Sequence, residues 1–342
     1  MALPRNSLMR AAVITSHGGP ECLAVENVET PSPRSDHVVV KVMAAGLNFH
    51  DVIERSTGYP GQTPPPMRTG LEGAGTVTAV GTAVTEFRVG DRVAWAAVPG
   101  SHAQFVEVPA DSAIPLPPWL DPVDAAAVCS QGLTAHYLAN SLRNITDGQT
   151  ALVWAAAGGV GRLLTQLLAA KGVRVFAATS SPAKADAAIA AGAERAVANS
   201  DVAGAVSELT GGEGVDVVFD GVGAPTFDAS LASVRRRGLL VIYGRAGGQV
   251  PPVDLFRLSS AGSVQLVRPR LTDFLTSRGE LLHRATELFD AMHSGVVTVR
   301  VEATYPLDRI QDAHRQLESR AVIGKVVILP NALPPTGASA TT

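Results

Sequence analysis

The stretch from Ala151 to Lys184 constrains the fold more than any other. ALVWAAA (151–157) is a continuous apolar run of the kind a strand buried on both faces requires, and AAGGVG (156–161) comes directly after it. RLLTQLLAAKG (162–172) places Leu163, Leu164, Leu167 and Leu168 on a helical stripe that stops at Gly172, and VRVFAAT (173–179) reads as a second buried strand. Strand, glycine turn, helix and strand make a βαβ unit. At such a turn a pyrophosphate is met by the unpaired N–H groups of the helix N-terminus. Gly158 permits the close backbone approach, Gly161 lets the helix pack tightly on the sheet, and Gly159 and Val160 complete the turn. The spacing is A-x-G-x-x-G, with Ala156 where the usual fingerprint has its first glycine. A tight strand-to-helix turn without a ligand is the alternative.

The residues just past the second strand bear on which dinucleotide binds. An NAD site places Asp or Glu about 20 residues past the glycines, on the ribose 2′-hydroxyl. Here Thr179, Ser180 and Ser181 fill that place, with Lys184 beyond them. With no carboxylate to repel a 2′-phosphate, and hydroxyls and a cation to bind it, the expected cofactor is NADPH. Ser181 also has the form of an N-cap with Pro182 at the first helical position and a solvated lysine beyond, and both roles are compatible.

At 342 residues, two domains are the default expectation. A formal charge of −3 gives no reason to expect nucleic acid or an acidic membrane surface as partner. No apolar run approaches 18 residues and no export signal is visible, so a cytoplasmic location is expected. Cys22 and Cys129 are the only cysteines, and the eight histidines form no HxxxH or similar pair, so no metal is expected.

From Arg10 to about 110 the text is all-β, with runs at AAVIT, HVVVKVMAAG, GAGTVTAVG, DRVAWAA and AQFVEVP divided by Gly, Pro and Asp, which suggests a small barrel. Residues 121–143 read as two helices broken near Gly132. Beyond Lys184, helices at ADAAIAAGA, VAGAVSELTGG and FDASLASVRRRG alternate with strands at RAVA, VDVVFDGVG and RGLLVIYG, the pattern of a doubly wound parallel sheet. The basic end of FDASLASVRRRG would suit a helix C-terminus. Helices at 279–295 and 309–319 and a strand at 324–330 complete the pattern, and residues 1–9 and 331–342 read as disordered tails.

These blocks resemble the zinc-free quinone oxidoreductase branch of the medium-chain dehydrogenase/reductase superfamily, from about Arg10 to Pro330. The resemblance rests on AAGLNFHDVIERSTGYP (44–60), GLEGAGTVTAVG with VGDRVAW (70–95), QGLTAHYL (131–138), AAGGVG (156–161), Ser181 with Lys184, and AHRQLESRAVIGKVV (313–327). It implies an α/β chain: a GroES-like, mostly-β barrel catalytic domain from residues 1–130 and 271–342, and a Rossmann NADPH-binding domain at 131–270. It also implies a substrate cleft between them and a homodimer. Zinc-bearing relatives carry a cysteine where this chain has Asn48, a histidine–glutamate pair at Leu71-Glu72, and a third ligand near Ser130.

Position by position, the resemblance puts Lys184 on the 2′-phosphate and Arg320 on the same cofactor. It puts Thr134, Asn48, Tyr243 and Gly244 on the nicotinamide side, and Tyr59 at the substrate mouth. Asn199 stands where many relatives have a tyrosine against the adenine or its phosphate. Ile53 and His50 replace a tyrosine and an isoleucine, so the pocket is not a copy of the bacterial quinone reductases. Hydride would pass from NADPH to a quinone or to the β-carbon of an α,β-unsaturated carbonyl, and the resulting oxyanion needs a donor. Tyr59, His50 and Asn48 are the candidates. The competing functions are an enoyl reductase tailoring a natural product and an NADPH-binding protein without turnover.

Overall fold

Short apolar runs separated by Gly, Pro and Asp make the first part of the chain strand-rich. The structure, a computed structural model, describes residues 7–59 and 61–332. Along it run β1 (Leu8–Ile14), β2 (Leu23–Glu29), β3 (His37–Leu47), α1 (Phe49–Ser56), β4 (Met67–Arg68), β5 (Gly73–Val80), β6 (Arg92–Trp95), β7 (Phe105–Pro109), β8 (Ile114–Pro115) and α2 (Pro122–Asn140). Strands then alternate with helices: β9 (Thr150–Trp154), α3 (Gly159–Ala170), β10 (Arg174–Thr179), α4 (Pro182–Ala190), β11 (Arg195–Ala198) and α5 (Val202–Leu209). The alternation continues through β12 (Val215–Asp220), α6 (Phe227–Ser233), β13 (Val234–Ile242), α7 (Phe256–Ser260) and β14 (Gln265–Val267). The last elements are α8 (Arg278–His293), β15 (Val301–Pro306), α9 (Ile310–Glu318) and β16 (Lys325–Leu329).

Two compact units result. One holds the described residues up to Ser130, Ser277–Leu282 and those from Val299 on; the other holds Gln131–Thr276 and His283–Thr298. Residues 271–276 and 283–298 thus group with the parallel sheet, whereas the resemblance implies that 271–342 belong with the β-rich part. Side-chain contacts account for it. Phe274 stacks on Tyr137 with ring centroids 4.2 Å apart, Arg284 donates to the Phe274 carbonyl and to Ser141 Oγ (2.9 Å each), and Gln166 Oε1 accepts the Thr298 N–H at 2.8 Å.

In the β-rich unit the long strand β3 is the spine. One edge pairs with β5; the other is shared by β7, along His37–Lys41, and β16, along Ala45–Leu47. The sheet runs β15-β16-β3-β5-β6-β8 with β7 added on β3, and a separate sheet runs β2-β1-β4. Val38, Val40, Val42, Val93 and Trp95 fill one core, while Ile14, Leu47, Ile310, Val326 and Ile328 fill another. Leu8 and Met9, expected in a tail, begin β1 opposite Glu29 and Val28. Asn331, also assigned to a tail, donates to the Val42 carbonyl at 2.8 Å. Ser7 and Ala332 are held too, through the Thr30 N–H to the Ser7 carbonyl (2.8 Å) and the Ala332 N–H to the Leu329 carbonyl (3.2 Å), and the remaining tail residues, 1–6 and 333–342, lie outside the described residues.

The second unit is a six-stranded sheet in the order β11-β10-β9-β12-β13-β14, every pair parallel. In chain order that is 3-2-1-4-5-6, the arrangement of dinucleotide-binding sheets, with its switch point between β9 and β12. Two helix boundaries differ from expectation. α2 runs unbroken through Gly132, because its neighbours Ala125–Cys129, Leu133 and Ala135–Ala139 are buried, and packing outweighs the ~1 kcal/mol a helical glycine costs. α6 ends at Ser233 and VRRR starts β13 instead: Val234 is buried opposite Val215, Arg235 pairs with Asp216 of β12 at 2.8 Å, and Arg237 turns the backbone left-handed.

Helix α1, which carries several candidate residues, is anchored by buried charge. Arg55 is wholly buried, donating to Glu318 Oε1 of α9 (2.6 Å) and the Gly18 carbonyl (2.7 Å). Beside it, Glu54 accepts the Thr69 hydroxyl at 3.2 Å and a short hydrogen bond from Gln62 Nε2, while Gln62 Oε1 accepts the Tyr59 N–H at 2.9 Å. The Tyr59 loop is therefore tied to the helix through one carboxyl group.

These anchors are open to two measurements. Arg55→Met leaves Glu318 and the Gly18 carbonyl without this partner and should cost about 3 kcal/mol in urea unfolding. Burial raises the Glu54 pKa from its ordinary 4.5 to about 7. The folded chain holds that proton more tightly than the unfolded one, so the contribution favours folding below the ordinary value and is lost as pH rises through about 7, a loss of roughly 3 kcal/mol. Glu54→Gln should therefore flatten the fall in unfolding free energy between about pH 5 and pH 8; identical slopes in wild type and variant would remove this role.

Candidate functional site

In a parallel sheet every strand ends at the same edge, so residues that follow strand ends are brought together whatever their separation in sequence. Gly158 follows β9 and caps α3, its N–H donating to the Ala155 carbonyl at 2.8 Å. Val160 and Gly161 lie in the first turn of α3. A Cβ on Gly161 would run into the Ala155 carbonyl oxygen, so only glycine allows this approach. A Cβ on Gly159 would overlap the Gln131 side chain of α2, so the helix bearing Thr134 one turn further on lies against the glycine turn.

Ser180 and Ser181 follow β10. Ser181 caps α4, its hydroxyl accepting the Lys184 N–H at 3.4 Å with Pro182 at the first helical position, so the capping role exists alongside any ligand role. Asn199 follows β11 at an exposed 3₁₀ turn. Tyr243 and Gly244 follow β13, where their N–H groups reach the Asp220 carbonyl at 2.9 and 3.3 Å. Asp220, buried at the end of β12, accepts from Val222 N, Gly223 N, Thr226 Oγ1 and Ser230 Oγ at 2.7–3.0 Å and holds the loop beside the switch point. One sheet edge thus collects Gly158, Ser180, Ser181, Asn199, Tyr243 and Gly244, with Lys184 one turn into α4.

In the β-rich unit, Asn48, His50 and Tyr59 lie at and beside the start of α1. The Asn48 N–H donates to Asp51 Oδ2 at 2.7 Å, half of a capping box, with Asp51 at the third helical position. His50 stacks on Tyr59, with ring centroids 4.3 Å apart and planes within 14°. Ile53, where the resemblance implies a tyrosine, is half-buried on α1. Arg320 is exposed, just past α9, in a left-handed conformation (φ 58°). His102 is structural: Nε2 meets the Gly46 carbonyl at 3.1 Å, and burial lowers its pKa to about 4, so the ring is neutral.

Sequence reasoning missed Lys325. Its ammonium, 2% exposed, donates to Glu72 Oε1 (2.6 Å) and Asn48 Oδ1 (2.8 Å). Asn48 Nδ2 donates to the same Glu72 oxygen at 2.6 Å, and Glu72 Oε2 accepts the Ser130 N–H of α2 at 2.6 Å. A signal existed: GKVVIL carries one cation at the mouth of an apolar strand, and a buried cation needs a buried anion.

Family models match in two places: a zinc-binding dehydrogenase over residues 159–281 and an alcohol dehydrogenase GroES-like domain over 34–118. The zinc of the first description does not fit the residues present. Where zinc-bearing relatives carry a cysteine and a histidine–glutamate pair this chain has Asn48 and Leu71-Glu72; leucine offers no donor atom, the Lys325 ammonium already bonds Asn48 and Glu72, and Glu72 accepts the Ser130 N–H. The quinone oxidoreductase of Pseudomonas aeruginosa is 39% identical over 92% of this chain and 98% of its own. The 2-haloacrylate reductase of a Burkholderia species is 35% identical over 95% of this chain and 100% of its own. A mycobacterial protein solved with NADPH superposes with a TM-score of 0.90 at 44% identity, over 94% of this chain and 100% of the other. With its GroES-like unit and its Rossmann sheet, the chain belongs to the zinc-free quinone oxidoreductase branch of the medium-chain dehydrogenase/reductase superfamily.

Proposed function

We propose that the protein uses NADPH to reduce a quinone or an α,β-unsaturated carbonyl compound. The observation that carries the reading is the glycine turn at the switch point of the sheet, followed at the next strand end by hydroxyls and a lysine in place of a carboxylate. A quinone oxidoreductase and a 2-haloacrylate reductase among the relatives, and NADPH in a similar structure, support it. In this reading Gly158, Gly159, Val160 and Gly161 receive the pyrophosphate, and Ser180, Ser181, Lys184 and Arg320 the 2′-phosphate. Asn199 lies on the adenosine side; Thr134, Tyr243, Gly244 and Asn48 lie on the nicotinamide side.

When bound, NADPH supplies a hydride. The protein's share is to exclude water, hold the acceptor and answer the negative charge that develops on its oxygen. Asn48 offers an amide whose orientation is set by two buried charges, and the stacked His50 and Tyr59 offer groups that carry a proton. We further propose a cytoplasmic homodimer. The edge strand β14 and the exposed Leu255 and Phe256 nearby in sequence supply an apolar surface for the second subunit.

Absorbance of NADPH, followed with a panel of 1,2- and 1,4-quinones, 2-alkenals and enones, tests the function: oxidation with at least one class is expected, and tight NADPH binding without any turnover would leave a binding protein. Lys184→Ala should weaken NADPH roughly 10–100-fold while changing NADH by no more than about twofold. Equal losses for both nucleotides would take Lys184 off the 2′-phosphate.

A further inference from the structure

The pair formed by Lys325 and Glu72 is hard to explain as a device for stability. Both side chains are wholly buried, and taking two charges out of water costs enough that apolar side chains of similar volume would serve the core as well or better. The surroundings are nonetheless shaped to keep the pair. Gly46 has no room for a Cβ, which would stand 2.5 Å from Glu72 Oε1 and 2.6 Å from the Ala126 carbonyl oxygen. A backbone N–H of α2 is committed to the second carboxylate oxygen.

What the pair controls is the side chain of Asn48. An ammonium only donates and a carboxylate only accepts, so the amide between them has one orientation, oxygen toward Lys325 and nitrogen toward Glu72. The reverse would set donor against donor and acceptor against acceptor. The backbone of Asn48 is clamped as well, through its N–H to Asp51. Of the three side chains, Lys325 and Glu72 are buried and Asn48 alone is half-buried, so it is the member through which the network can reach a ligand.

From this geometry we infer that Lys325 is a positioning residue for reduction of the acceptor: held by Glu72, it fixes the Asn48 amide in the one orientation that hydride transfer uses. The inference deepens the function proposed above and rests on it. It assigns the work of a fixed local cation to an ammonium that never touches the acceptor, so its loss is felt in kcat far more than in nucleotide affinity.

The test compares the wild-type chain with Asn48→Ala, with Lys325→Met, and with Lys325→Met/Glu72→Gln, which removes both charges together and leaves no buried ion alone. kcat, KM for the acceptor, NADPH affinity by fluorescence and the thermal midpoint are measured on each, and the charge-neutral pair is crystallised. The neutral pair should lose roughly 10–100-fold in kcat, with a much smaller change in NADPH affinity and a thermal midpoint at or above that of the wild type. The Asn48 amide should be rotated out of its wild-type position in its structure. Adding Asn48→Ala to the neutral pair should slow it no further, because both changes remove the same contact. Wild-type kcat in the neutral pair, or a loss that adds fully to that of Asn48→Ala, would overturn the role of Lys325 and leave the proposed function standing. A wild-type chain that reduces no quinone and no enone would overturn both.

Discussion

A helix lies on a parallel sheet only as closely as the turn that launches it permits, and here that turn is four residues long. Between the end of β9 at Trp154 and the start of α3 at Gly159 the chain reverses with Ala155 in the left-handed region (φ 52°), a conformation that costs a non-glycine residue about 1–2 kcal/mol. The positive φ falls one residue before Ala156, so the alanine at the first fingerprint position needs no glycine's freedom. Gly161 is different, because the Ala155 carbonyl oxygen occupies the space its side chain would need. How closely α3 lies on the sheet at the switch point depends on that contact.

Much of this arrangement is legible in the chain because its signals are local. A continuous apolar run, a glycine turn and a 3.6-residue stripe describe β9, α3 and β10 without reference to anything distant. Sequence pattern misleads where a distant partner decides. FDASLASVRRRG has helix-forming residues throughout, yet Asp216 and Val215, some twenty residues earlier, draw Val234 and Arg235 into a strand. β2 and β15, LAVENVE and VEATYP, give no clear strand signal because their charged residues face outward along partly exposed strands. Of the candidate residues, those after strand ends are legible from topology alone. Lys325 is not, since nothing within fifty residues of it announces Glu72.

The β-rich unit keeps the outline of a metal centre while changing its chemistry. Where zinc-bearing relatives carry a cysteine and a histidine–glutamate pair, this chain has Asn48 and Leu71-Glu72, and Asn48 and Glu72 face a covalently attached monovalent cation. An ammonium donates hydrogen bonds in several directions and accepts no lone pair from an acceptor, so it orders neighbours but cannot bind a carbonyl as a Lewis acid does. Reductive power and local order are then divided between a diffusible nucleotide and the fold itself.

The way β3 divides one edge between β7 and β16 also governs the order of assembly. Residues 45–47 near the start of the chain wait for 326–328 near its far end, and Glu72 waits for Lys325. The parallel sheet, whose last strand finishes at Val267, has all its partners much earlier in synthesis. During translation the parallel sheet can therefore form on the ribosome, while the β-rich segment before it stays incomplete, with an open strand edge and a carboxylate that lacks its ammonium, until β16 emerges.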